Sequence, residues 1–211
     1  ETPRGRTLAA DAYASGKEVL LHLPLQAVDR DDTAGSADSI TLDMSRDAFR
    51  AAFAAAIESV PFAIGVNNHR GSLLTRHPGH MQWLMEEIDA RDGLFFIDSY
   101  TTHHSVALKM AGEAGVTAAR RDVFLDHDPD PAALEREFER LKRLARERGV
   151  AIGIGHPYPQ TLDFLERALP GLAAEGYELI SVAERLELLP VRQARAPMLP
   201  GPAEPTPASK F

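Results

Sequence analysis

The sequence predicts an α/β protein with a parallel sheet, and a distorted (β/α) barrel is the preferred architecture. Short apolar runs of strand length alternate along the chain with segments whose apolar residues recur at helical spacing. This alternation is the chain order of β–α–β units, in which helices cross over between parallel strands. The strands are continuously apolar, so both faces of the sheet are expected to be covered, as in a barrel or a doubly wound sheet.

Six strands and five helices are predicted in alternation. The strands are runs rich in Val, Ile, Leu and Phe, at residues 19–25, 62–66, 94–97, 123–125, 150–154 and 178–182. The helices are predicted at residues 46–59, 79–90, 105–112, 131–148 and 160–176.

Capping residues mark several of the predicted helix ends. Asp130 precedes Pro131, the arrangement of an N-cap residue followed by proline at the first helical position. Gly149 and Gly176 end their helices before the next strands. The 131–148 helix is densely charged around a narrow apolar stripe, which predicts an outer helix with most of its surface in solvent.

The composition is that of a globular domain of ordinary size. The chain has 211 residues, of which 44% are hydrophobic, and its 23 Lys and Arg against 31 Asp and Glu give a net charge of -8. This charge provides no general attraction for nucleic acid or anionic lipid, so nucleic acid is not expected as a partner. Cysteine is absent, which excludes disulfides, thiolate metal sites and cysteine nucleophiles.

The two ends of the sequence differ from its apolar middle. No apolar run approaches the roughly 20 residues of a membrane span, and the first six residues lack the apolar core of a secretion signal. Repeated prolines from residue 190 onward predict a tail without regular structure. We therefore expect a domain over residues 1–189 and a proline-rich tail over residues 190–211.

Three histidines lie at the ends of predicted strands, where α/β proteins commonly carry their chemistry. His22 ends an apolar run, His69 follows Asn67 and Asn68, and His156 lies at a sharp Gly/Pro stop. Neutral imidazole is the usual nitrogen ligand of zinc, and catalytic zinc sites commonly use three protein ligands. A structural, hydrogen-bonded role suits each histidine alone, whereas convergence of all three at one barrel mouth favours a metal site.

Acidic and backbone groups at the same strand ends add to this candidate site. Asp98 ends a predicted strand, where partial burial suits a carboxylate to act as a general base or to orient a metal-bound histidine. Capping of the following turn is the alternative role of Asp98. Asp126 ends the next predicted strand and offers a second acid of the same kind. The Gly71–Ser72 step after His69 is a candidate to present backbone N–H groups to a developing oxyanion.

The other five histidines are weaker candidates. His77 and His80 have i,i+3 spacing but lack a carboxylate partner in the sequence. His103 and His104 suit a solvated loop or helix start. His127 lies between two aspartates, in a predicted strand-to-helix turn.

Five motifs in chain order resemble those of the divergent polysaccharide deacetylase family, distant relatives of the chitooligosaccharide deacetylase type of carbohydrate esterase. The motifs are LLHLPL, GVNNHRGSLLT, FFIDSYTT, RDVFLD and AIGIGHPYPQTL, and the resemblance runs over about residues 8–186. It implies a distorted (β/α) barrel of about seven strands and a divalent metal, expected to be zinc, held by an aspartate and two histidines. It also implies a periplasmic or otherwise exported bacterial protein.

The resemblance assigns roles to individual residues by position. His69 and His156 match histidines of the metal site, and Asp98 matches the acid of the Asp–Ser motif. His22 matches a position at the mouth of the barrel, where we expect it to act in catalysis with Asp98.

Substrate contacts are expected from Ser72, Asp126 and Tyr100. Two departures from the family pattern affect this side of the site, since Arg70 stands where methionine is common and Tyr100 where arginine is common. The family opens with a strand that ends in a paired-aspartate motif, and this sequence begins after that point. We therefore expect a barrel domain that is N-terminally incomplete and lacks its first strand.

The function predicted from these features is metal-dependent removal of N-acetyl or O-acetyl groups from an acetylated amino-sugar polymer or oligosaccharide of the cell envelope. The alternative is a catalytically weak or inactive deacetylase-like barrel that binds glycan or an envelope protein. A phosphate or sugar enzyme on a similar barrel is a third possibility, and the absence of a Gly-rich phosphate loop disfavours it.

Overall fold

The computed structural model describes residues 4–28 and 39–187. Within these ranges helices and strands alternate over most of the chain, except that β5 follows β4 directly and no strand separates α6 from α7. In chain order the elements are α1 (Gly5–Ala14), β1 (Val19–Leu25), α2 (Arg46–Ser59), β2 (Ala63–Arg70), α3 (Pro78–Asp89), β3 (Phe95–Asp98), α4 (Ala107–Ala114), β4 (Ala118–Arg120), β5 (Val123–Phe124), α5 (Pro131–Arg148), β6 (Gly153–Ile154), α6 (Pro159–Ala168) and α7 (Val182–Glu187).

The strands are parallel, which confirms the α/β class. Four of them form one sheet in the order β1-β2-β3-β4, and β5 and β6 form a separate pair. The closed seven-stranded barrel is not confirmed, because the strands of the described ranges form these two open sheets. The first sheet ends and the second begins between Arg121 and Asp122. The Arg121 N–H donates to the Asp98 carbonyl at the end of β3, whereas the N–H groups of Asp122 and Val123 donate to the Ile152 carbonyl just before β6.

Some element predictions are confirmed and others are wrong. The bounds of β1, α2 and α5 are as predicted, and Asp130 caps α5 by accepting from two backbone N–H groups. The predicted strand at 178–182 is wrong, because Leu179 is 66% exposed and the chain enters α7 at Val182. Strand β4 was not predicted because its three residues, Ala-Ala-Arg, contain no run of large apolar side chains.

Three apolar clusters cover the faces of these sheets. The larger cluster lies between the four-stranded sheet and helices α2, α3 and α4, with fully buried Phe49, Phe53 and Phe96. The second joins the β5 region to α5 and α6 through Leu134 and Phe138. The third joins β3 and β4 to α7 through Phe95 and Leu186.

The described residues contain no helix long and apolar enough to cross a bilayer. The predicted proline-rich tail at 190–211 lies outside the described residues, as do the last two residues of the predicted domain.

A carboxylate joins the start of β1 to the last described helix. Glu18 accepts hydrogen bonds from the N–H groups of Val182 and Ala183, at 2.8 and 3.1 Å. These are N-terminal helix donors that have no partner within their own helix. Glu18 therefore caps α7 and fixes it against a strand more than 160 residues away in sequence.

We predict that Glu18→Ala lowers the free energy of unfolding by about 1 kcal/mol, the usual effect of losing a helix cap. Glu18→Gln should have a smaller effect, because its amide oxygen still accepts from α7. Chemical denaturation measures both, with Glu166→Ala on exposed α6 surface as the control. Equal stabilities for the Glu18→Ala and Glu166→Ala variants would contradict this role for Glu18.

Candidate functional site

The centre of the candidate site is a pair of histidines on neighbouring strands. In the parallel register of β1 and β2, His22 lies opposite Asn67 and Pro24 lies opposite His69. Residues 67 and 69 have the same side-chain direction because side chains alternate along a strand. As a result the His22 and His69 rings meet edge to face, with His22 Nε2 and His69 Nδ1 3.0 Å apart.

Both rings of this pair have a lowered pKa, which favours the neutral form. Desolvation of the ring, followed by the nearby His69, lowers the pKa of His22 to about 4. The hydrogen bond to Asn67 opposes this shift, and His156 adds to it. Desolvation and then His156 also lower the pKa of His69. Neutral imidazole is the form that binds metal ions.

His156 belongs to a second polar pair, at the ends of β5 and β6. Its Nδ1 lies 3.1 Å from Asp126 Oδ1, and its backbone N–H donates to Asp126 Oδ2. The Thr161 hydroxyl also donates to Oδ2, at 2.9 Å. The Asp126 side chain is fully buried, whereas that of His156 is 35% exposed. Asp126 therefore orients His156, and His156 is near enough to affect the charge states of His22 and His69.

Asp98 is buried under the loop that follows β3. Its two carboxylate oxygens accept hydrogen bonds from the Tyr100 backbone N–H, at 2.8 Å, and from the Ser105 hydroxyl, at 2.7 Å. Tyr100 has a φ of 50°, in the left-handed region, so this carboxylate stabilises an unfavourable backbone conformation. Burial raises the pKa of Asp98, and the Ser105 hydrogen bond is the largest opposing effect. The catalytic role of Asp98 stays a prediction.

Ser72 and Tyr100, which were also predicted to contact substrate, each make a contact with a neighbouring segment. The Arg120 guanidinium stacks 4.4 Å from the centroid of the Tyr100 ring. The Ser72 hydroxyl oxygen accepts from the Val28 backbone N–H at 3.0 Å. Substrate contacts by Ser72, Tyr100 and Asp126 remain predictions.

The five other histidines contribute nothing to this centre. His80 Nε2 faces the Leu42 carbonyl at 3.1 Å, and His77 lies at the start of α3. His103, His104 and His127 are exposed.

The residues of the pair fit a metal only in part. Two nitrogens that bind one tetrahedral zinc at about 2.0–2.1 Å lie roughly 3.3 Å apart, close to the 3.0 Å between His22 and His69. Within 4–28 and 39–187, however, no group of three or more histidine, aspartate, glutamate or cysteine side chains is arranged to hold a metal ion. The donor chemistry is therefore suitable, and the ligand set formed by the described residues is incomplete.

Asn67 is a member of the site that the sequence did not single out. Its amide nitrogen donates to the Ile97 carbonyl and to the Ser99 hydroxyl oxygen, and its amide oxygen faces His22 Nδ1 at 2.8 Å. The alternation of side chains along β2, which assigns residues 67 and 69 to one face, was the available signal.

Comparison with known proteins identifies the family. Residues 1–186 match the sequence profile of the divergent polysaccharide deacetylases. The chain belongs to this family. The resemblance seen in the five sequence motifs is thereby confirmed.

The similar proteins of this deacetylase family are themselves uncharacterized. The uncharacterized protein YibQ of Escherichia coli K12 is 35% identical over 172 residues, which are 82% of this chain and 53% of that protein. An uncharacterized protein of Haemophilus influenzae is 36% identical over 170 residues, which are 81% of this chain and 60% of that protein. The chain thus spans little more than half the length of these curated relatives.

A solved structure supports the fold. The crystal structure of an uncharacterized protein from Agrobacterium tumefaciens C58 superimposes with a TM-score of 0.82, over 85% of this chain and 73% of that one. The two sequences are 22% identical, so the likeness concerns the fold alone.

We predict that Asp98→Ala destabilises the protein by about 1–3 kcal/mol, because the half-buried Tyr100 N–H and Ser105 hydroxyl lose their acceptor. Asp98→Asn should cost less, since its amide can accept from Tyr100 and donate to the Ser105 oxygen. Denaturant unfolding at neutral pH separates the two variants. Indistinguishable stabilities for Asp98→Ala and wild type would rule out this role in holding the loop.

A pH dependence follows from the raised pKa of Asp98. Ionising this carboxyl is less favourable in the folded than in the unfolded chain, so its contribution is complete below the ordinary value of 3.8 and declines as pH rises through the folded-state pKa. The stability difference between wild type and Asp98→Asn should therefore be largest in acid and shrink toward neutral pH. Urea unfolding of both proteins at several pH values tests this; a difference that grows with pH has the wrong sign.

Proposed function

We propose that this protein is a metal-dependent deacetylase that hydrolyses N-acetyl or O-acetyl groups on a cell-envelope polysaccharide, in the periplasm or another exported setting. The observation that carries the proposal is the pair of facing nitrogens on His22 and His69, 3.0 Å apart at the ends of neighbouring parallel strands. Membership of the divergent polysaccharide deacetylase family supports the class of reaction and substrate.

His22 and His69 are the proposed protein ligands of a divalent metal, with zinc the expected ion. The family pattern implies an aspartate as a further ligand. A bound metal of this kind polarises an acyl oxygen and lowers the pKa of a water molecule. This assignment exchanges the sequence-based roles of His22 and His156, because His22 faces His69, whereas His156 is hydrogen-bonded to a buried carboxylate.

His156 is the proposed proton carrier. Its Nδ1 is bound to Asp126, so Nε2 is the atom that takes and returns a proton. A water oxygen forms a bond to the acyl carbon and gives its proton to Nε2. The bond between the acyl carbon and the sugar nitrogen or oxygen then breaks as Nε2 returns the proton to that leaving atom. Acetate and the free amine or hydroxyl are the products.

The nature of the acceptor supports this division of roles. Asn67 offers His22 a neutral amide oxygen, which orients the ring without a countercharge. Asp126 offers His156 a carboxylate, which stabilises the positive charge that a ring acquires with a second proton. A ligand must remain neutral, and a proton carrier must be able to charge.

A second candidate function is binding of glycan or an envelope protein without catalysis. The observation that favours it is the incomplete set of metal donors among the described residues. In this case the strand-end cleft acts as a recognition site, and zinc neither binds nor changes the affinity for glycan.

We expect the protein supplied with zinc to release acetate from chitooligosaccharides or peptidoglycan fragments. His69→Gln removes one proposed ligand nitrogen and should abolish both acetate release and bound zinc, measured by an acetate assay and elemental analysis. His104→Gln is the matched control, because His104 is exposed and lies outside the candidate site formed by His22, His69 and His156. No acetate release with zinc or any other divalent metal would favour the binding function.

His156→Gln should separate proton transfer from metal binding. We expect kcat to fall about 10²–10⁴-fold, the usual contribution of a general acid–base group, while the zinc content is unchanged. Steady-state kinetics and elemental analysis on the same preparation give both values. A loss of zinc in this variant would make His156 a ligand, as the sequence alone predicted.

A further inference from the structure

The side chain of Asn67 connects the backbone of β3 to the imidazole of His22. Its Nδ2 donates hydrogen bonds to the Ile97 carbonyl and to the Ser99 hydroxyl oxygen, both at 2.8 Å. Its Oδ1 lies 2.8 Å from His22 Nδ1. Every polar atom of this amide therefore has a partner, and each partner limits how the amide can be oriented.

Backbone carbonyls fix the direction of these hydrogen bonds. A carbonyl oxygen can only accept, so the atom that faces Ile97 must be the amide nitrogen of Asn67. The atom that faces His22 is then the amide oxygen. Ser99 agrees with this orientation, because its hydroxyl donates to the Asn68 carbonyl at 2.6 Å and its oxygen is left to accept from Asn67.

The orientation of the amide determines the tautomer of His22. An amide oxygen also only accepts, so His22 Nδ1 must carry a hydrogen. In the neutral ring, Nε2 then has a lone pair, and it faces His69 Nδ1 at 3.0 Å. We infer that Asn67 is a positioning residue that fixes His22 in the Nδ1-protonated tautomer and thereby directs the Nε2 lone pair into the site.

This inference deepens the proposed function. The benefit of the fixed tautomer rests on that function, since a nitrogen that binds a metal must present a lone pair. The tautomer itself does not depend on a metal. Neutral histidine in water favours the opposite form, with the hydrogen on Nε2, so an Nδ1-protonated His22 is a signature of the imposed hydrogen bond. A purely structural role for Asn67 would leave the tautomer of His22 unchanged when the amide is replaced.

Nuclear magnetic resonance of the ¹⁵N-histidine-labelled protein, freed of metal with a chelator at neutral pH, tests the inference. Long-range ¹H–¹⁵N spectra identify which ring nitrogen is protonated, and the His22 signal is assigned by its loss in His22→Gln. His80 is an internal reference of the opposite kind, because its Nε2 faces the Leu42 carbonyl and must donate. We expect Nδ1 protonation on His22 and Nε2 protonation on His80; Nε2 protonation on His22 in the wild type overturns the inference.

Two variants of Asn67 extend the test. Asn67→Asp loses the hydrogen bond to the Ile97 carbonyl but keeps an oxygen acceptor for His22, so Nδ1 should stay protonated. Asn67→Leu removes the acceptor at similar size, so the Nε2-protonated form should become the major one. An unchanged His80 signal reports that each variant is folded. His22 that remains Nδ1-protonated in a folded Asn67→Leu variant contradicts the positioning role, and if this variant does not fold, the wild-type and Asn67→Asp spectra decide.

A metal titration keeps this inference distinct from the proposed function. If His22 is a ligand, Asn67→Leu should weaken zinc affinity about 10–100-fold, the usual effect of losing a group that orients a ligand histidine, measured by competition with a chelator. A wild-type protein with Nδ1-protonated His22 that binds no zinc would reject the metal site and retain the role of Asn67.

Discussion

The parallel pairing of β1 with β2 is the constraint on which the rest of the site depends. Its register places His22 of β1 opposite Asn67 of β2, and His69 lies two residues further along β2. Because the side chains of a strand alternate between its faces, a shift of one residue in this register would separate His22 from both partners. The apolar residues of β1 resist such a shift, since Leu21, Leu23 and Leu25 would then lose their buried positions.

The same pattern of construction recurs at the second sheet. Asp126 follows β5 and His156 follows β6, so a parallel pair again brings two polar strand ends together. Hydrogen bonds to a neighbouring element fix one member of each pair: Asn67 donates to the backbone of β3, and Asp126 accepts from the Thr161 hydroxyl of α6. The rings of His22 and His156 are therefore oriented by side chains that are themselves held by hydrogen bonds. Such support is what a catalytic site requires of its surrounding residues.

The sequence predicted those features that depend on local pattern. Apolar runs located β1 and the strands leading to His69, Asp98, Asp126 and His156, and the five motifs identified the family. It could not predict β4, whose short side chains give no apolar signal, or the absence of a strand at 178–182, where an apolar run remains exposed. The sequence also could not predict which imidazole faces which group, because these contacts depend on strand register and not on spacing along the chain. Asn67 was for this reason not singled out from the sequence.

His22 and His156 share one geometry, in which Nδ1 is hydrogen-bonded, and the proposed function gives them two kinds of chemistry. In each, an oxygen acceptor that is held by further hydrogen bonds fixes the ring and leaves Nε2 for the site. The acceptors differ in charge alone, since one is an amide and the other a carboxylate. An amide gives no compensation for a protonated ring, so it favours a neutral imidazole with a permanent lone pair. A carboxylate compensates that charge and so favours a ring that gains and loses a proton. The replacement of one acceptor by the other is therefore the change to which this site should be most sensitive, because it alters the charge beside a histidine while keeping an oxygen acceptor for its Nδ1.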